Sequence, residues 1–128
     1  VSKLLAALLL LLIPSQVLAA SGPPPGLAGT LTIVSQDATS VTLHAEQTGG
    51  DPVRLTLEQI CYNADPWTQS TMWETTKVRF VGSVDVTFDT SSGTYKSQQF
   101  TPVYCIAYLM FYFSSSRAIA LAGVVTLP

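Results

Sequence analysis

His44 stands in the stretch TSVTLHAEQ, with Thr42 and Glu46 two positions to either side. It is the only histidine, so any His-dependent acid–base mechanism would have to run through it. Nucleophilic catalysis also needs an activated hydroxyl or thiol beside the base, and no Gly-x-Ser-x-Gly turn accompanies it. On an alternating strand, His44 falls with Thr42 and Glu46 on the solvent side. The eight carboxylates are scattered. Asp37, Asp51, Asp65 and Asp89 lie in or beside turns, where a short carboxylate accepts backbone N–H groups. Glu46, Glu58, Glu74 and Asp85 lie in extended segments and read as outward charges. Glycosidic chemistry needs two carboxyls at a fixed separation, and nothing in this pattern favours such a pair. EF-hand, phosphate-cradling and dinucleotide-binding motifs are absent. The expectation is a protein that is not an enzyme and uses no cofactor or metal.

Cys61 and Cys105 make an even pair, too few with one histidine for a zinc site. In an oxidising compartment they are expected to form a structural disulfide, since no Cys-x-x-Cys redox motif is present. Trp67, after Asp65-Pro66, is the candidate for stacking on a sugar or similar ligand from a loop. A net charge of −2 without a basic run along the chain leaves no footprint for nucleic acid.

Export is suggested by the N-terminus. Lys3 precedes an apolar run over residues 4–13, Pro14 breaks it, and Val17-Leu18-Ala19 offers a small-residue cleavage context. Residues 1–19 are expected to be a signal peptide or, alternatively, a retained hydrophobic helix as in pilin-like subunits. The run before Pro14 is shorter than the roughly 20 residues that a bilayer span needs. Residues 20–29 form a Pro/Gly linker, and from residue 30 to 128 short Thr- and Val-rich segments alternate with turn clusters. That spacing predicts an all-β, antiparallel two-sheet sandwich of about seven strands. Val41, Leu43 and Ala45 face inward on one strand, Leu55, Leu57 and Cys61 on another, and Val84, Val86 and Phe88 on a third.

These segments resemble the fibronectin type III and immunoglobulin-like superfamily of β-sandwiches. TSVTLHA is similar to the second strand of a type III module, FTPVYCIAYLMF to its Tyr-containing sixth strand and AGVVTLP to its closing strand. The order Cys61, Trp73, Cys105 resembles the immunoglobulin arrangement, which implies a buried Trp73 packed on a bridge between the sheets.

Strict alternation through VYCIAYLMFYF puts Val103, Cys105, Ala107, Leu109, Phe111 and Phe113 on the core side. Tyr104, Ile106, Tyr108, Met110 and Tyr112 then face outward. The last strand, after the hairpin loop SSSR, would set Ala118, Ala120, Ala122 and Val124 beside them, with Ile119, Leu121, Val125 and Leu127 opposite. An outer face this apolar is a contact surface. Membrane insertion explains it less well, because Arg117 would sit in hydrocarbon. The expected function is an exported structural or adhesive subunit, extracellular or at the cell surface. It would self-associate or dock another extracellular protein through this face. The alternatives are a pilin-like filament subunit and a carbohydrate- or ligand-binding module.

Overall fold

Alternating Thr, Val and Leu give each segment one face that must be buried, and pairing edge to edge satisfies the backbone between them. In the computed structural model, which describes residues 22–64 and 71–126, this produces strands only. The expectations for residues 1–19 and for Trp67 lie outside the described residues. The strands are β1 (Ala28–Gln36), β2 (Ser40–Gly49), β3 (Arg54–Tyr62), β4 (Trp73–Val81) and β5 (Ser83–Asp89). They continue with β6 (Gly93–Tyr95), β7 (Gln98–Phe100), β8 (Tyr104–Ser114) and β9 (Arg117–Thr126). One sheet has the order β1-β2-β5 and the other β4-β3-β8-β9, all antiparallel, with β6 and β7 as a separate hairpin. The fold is the expected antiparallel sandwich.

Between the sheets lie Val41, Leu43, Ala45 and Phe88 from one layer and Leu55, Leu57, Ala107 and Leu109 from the other. Gln59, also buried, donates from Nε2 to the Asp89 carbonyl at 3.2 Å and so ties β3 to β5 across the layers. Gly82 alone separates β4 from β5, so the chain changes sheets there at φ 83°, which a side chain would resist. Asp37 shapes the β1–β2 turn by accepting the Thr39 and Ser40 N–H groups on Oδ1, both at 2.8 Å.

Four expectations need correction. The disulfide joins Cys61 to Cys105 as predicted, but these residues face each other in register on β3 and β8. The bridge therefore lies within one sheet rather than between two. Trp73 is 44% exposed, because it opens the edge strand β4 on the outer side opposite Tyr62 instead of reaching the core. Val103 is 59% exposed, since it precedes β8 and donates its N–H to the Tyr62 carbonyl before the alternation begins.

Finally, the pairing of β8 with β9 shifts between Leu109 and Met110: Leu109 faces Ala122 and Met110 faces Ala120, leaving Leu121 as the extra residue. Ala122 and Val124 thus pack toward the core beside Leu109 and Ala107, and Gly123 takes the outer position next to Tyr108. The predicted outer row keeps Ala118 and Ala120 but loses Ala122 and Val124.

Candidate functional site: the outer face of the four-stranded sheet

Register alone assembles this surface. Tyr62, Ile60, Glu58 and Thr56 of β3 stand opposite Tyr104, Ile106, Tyr108 and Met110 of β8. On the other side, the same β3 residues stand opposite Trp73, Thr75, Lys77 and Arg79 of β4. Opposed residues on a sheet point the same way, so the five predicted outward side chains of β8 do share one face. The structure divides that face into two ends of different chemistry.

At one end Tyr62 and Tyr104 stack with ring centroids 6.1 Å apart, next to the Ile60–Ile106 pair. Trp73 extends the aromatic row and lies against Tyr95 of the β6–β7 hairpin at 4.5 Å. Tyr108 covers Gly123: a Cβ there would stand 3.1 Å from its ring. The Tyr62 phenol is held above its usual 10.0, first by burial and then by the neighbouring Tyr108, Tyr104 and Glu58. Tyr62, Tyr104, Ile106, Tyr108 and Met110 are each only half-buried, so their rings and methyls remain open to contact.

At the other end the hydroxyl of Tyr112 donates to Glu58 Oε2 at 2.8 Å. That bond favours the neutral phenol and raises its pKa above 10.0, with burial adding to it and the Arg79 charge opposing. The Lys77 ammonium stands 5.4 Å from the centre of the same ring. Arg54, Thr56, Lys77, Arg79, Tyr112, Phe113, Ser114 and Ser115 line an open cleft of about 570 Å³. Arg54, Lys77 and Arg79 are all exposed, and among the described residues no carboxylate forms an ion pair with any of them. Sequence reading missed this cluster because the three cations come from two strands. Only antiparallel pairing, which sets Thr56 beside Arg79 and Glu58 beside Lys77, gathers them.

His44 lies where alternation placed it, on the outer face of the three-stranded sheet. Its Nδ1 is 2.6 Å from Asp85 Oδ1, its cross-strand partner. A His–carboxylate pair orients a base, but the adjacent Thr42 hydroxyl is engaged with that of Thr87 at 2.8 Å. The pair therefore reads as a cross-strand polar contact on an exposed face. Asp37 and Asp89 cap turns, as expected of them, and Glu74 Oε2 accepts the Thr94 N–H at 2.8 Å. Among the described residues no group of three or more His, Cys, Asp or Glu side chains is placed to hold a metal ion.

The two buried sulfurs of the disulfide fit an oxidising, extracellular environment. No protein family, curated protein or solved structure matches the chain.

Proposed function

We propose that the chain is an exported structural or adhesive subunit, acting outside the cell or at its surface, that associates with a second copy of itself through the aromatic end of its four-stranded sheet. The observation that carries this reading is the continuous patch of Tyr62, Ile60, Tyr104, Ile106 and Tyr108. These five side chains are half-buried and uncharged, are covered by no described segment of the chain, and meet a charge only at the edge where Glu58 stands opposite Tyr108. Covering such side chains releases water at about 25 cal/mol per Å² of apolar area. Tyr and Trp supply that area at low cost in side-chain entropy. A second copy fits because two flat aromatic rows are complementary to each other, and no charge in the patch would select a different partner. The strand order β1-β2-β5 and β4-β3-β8-β9, with the Tyr-bearing β8 in an inner position, supports the type III-like reading of the module.

Tyr108→Lys tests the proposal. It places a cation at the edge of the patch, opposite Glu58 on the outer strand face, so the monomer should keep its far-ultraviolet spectrum while self-association by sedimentation velocity falls at least tenfold. Wild-type assembly by the variant would locate the contact elsewhere.

A further inference from the structure

The cationic end of the same sheet is a feature separate from the aromatic patch. The whole chain carries six Lys and Arg residues against eight carboxylates, yet three of the six meet in one cleft. Among the described residues Glu58, beside Lys77, is the carboxylate that the register places at this end, which leaves a formal excess of two positive charges. Its Oε2 is already engaged by the Tyr112 hydroxyl. No cation of the three faces another directly across the strands, so they share one open face without a cross-strand clash. Here no described carboxylate forms an ion pair with Arg54, Lys77 or Arg79.

The geometry points to an oxyanion-binding site whose ligand is an acidic saccharide, carrying sulfate or carboxylate groups on a hydroxyl-bearing ring. Arg54 and Arg79 supply planar forks that match either oxyanion, and Lys77 adds a point charge. The hydroxyls of Thr56, Ser114 and Ser115 also line the cleft and suit the sugar's own hydroxyls. Tyr112 offers an aromatic wall for the apolar face of a sugar ring, with its hydroxyl fixed by Glu58. A volume of about 570 Å³ is far larger than a single inorganic ion and falls in the range of pockets for small organic ligands. Paired strands carry most of the groups, so the backbone that gathers the cations is fixed before the ligand arrives, and only their side chains remain to be ordered on binding.

The experiment is isothermal titration at low salt with sucrose octasulfate, digalacturonate, sucrose and sodium sulfate. Either or both acidic sugars should bind while sucrose does not, and the stronger of the two identifies the oxyanion. Arg54→Gln and Arg79→Gln should each weaken that binding by about tenfold, the worth of one charge-assisted contact. Both sites are exposed, so circular dichroism should show unchanged folds. Absence of binding by both acidic sugars would overturn the proposal, as would binding that both glutamine variants leave unchanged. Sodium sulfate that binds as tightly as the sugars would reject the saccharide assignment. The self-association of wild type and Tyr108→Lys, measured in the same buffers, is a separate result and can fail without affecting this one.

Discussion

Gly93 shows how one missing side chain fixes local packing. A Cβ at that position would stand 2.4 Å from Phe100 Cζ and under 3 Å from two further ring carbons, with the ring itself buried in the β6–β7 hairpin. Gly93→Ala should therefore destabilise the protein by about 1–3 kcal/mol through overpacking, seen as a lower urea midpoint. An unchanged midpoint would show that the hairpin yields freely. Two turn carboxylates contribute to the acid response. The Asp37 carboxyl is held below 3.8 first by the Thr39 N–H, then by the Ser40 N–H. The Asp89 carboxyl is held below 3.8 first by the Ser91 hydroxyl, then by the Ser91 N–H. Because both folded values lie below the unfolded ones, their stabilisation is complete above the unfolded values and is lost as pH falls through the folded ones. The melting temperature should decline below about pH 4, and the Asp37→Asn/Asp89→Asn variant should show a shallower decline there. Equal slopes would remove these turns as the cause.

At the scale of elements, the bridge between Cys61 and Cys105 pins the phase of β8 against β3. A slip by one residue would turn every side chain of the outer face into the core. With 44 residues separating the cysteines, the Cys61→Ala/Cys105→Ala variant should lose about 2–4 kcal/mol of unfolding free energy in urea. A loss well below this would mean that strand pairing alone sets the phase. Alternation made β2, β3, β5 and most of β8 legible in the sequence, because each buries one face and leaves the other in water. The same rule failed in β9, where the extra residue Leu121 reverses the phase between Ala120 and Ala122. A bulge is set by how β9 fits β8 and the core beneath, and no local residue type announces it. The β6–β7 turn was hidden for a related reason. Lys96 and Ser97 both adopt positive φ, at 47° and 68°, where Asn and Gly are the usual sign of such a turn. The cationic cleft was invisible because Arg54 is far from Lys77 and Arg79 in the chain; cross-strand pairing sets Arg54 diagonal to Arg79 on one face, with Lys77 next along β4.

The whole molecule is a sandwich with unlike outer surfaces. Thr42, His44, Glu46, Asp85 and Thr87 make the outside of the three-stranded sheet hydroxylated and acidic, whereas the four-stranded sheet presents aromatic residues at one end and cations at the other. This arrangement separates two kinds of binding by their physics. Contact through Tyr62, Tyr104 and Tyr108 relies on apolar area, which added sodium chloride does not screen. An oxyanion held by Arg54, Lys77 and Arg79 relies on exposed charges, and their attraction weakens as the Debye length shrinks from about 14 Å at 0.05 M salt to about 4 Å at 0.5 M. Raising salt over that range should leave the self-association constant within about twofold by sedimentation equilibrium, while affinity for the acidic sugar falls by at least tenfold. If both fell together, the cations would belong to the copy-to-copy contact, and the surface would act as one interface. If only self-association fell, charge rather than aromatic area would hold the copies together, and Tyr108 would no longer be the residue on which assembly turns.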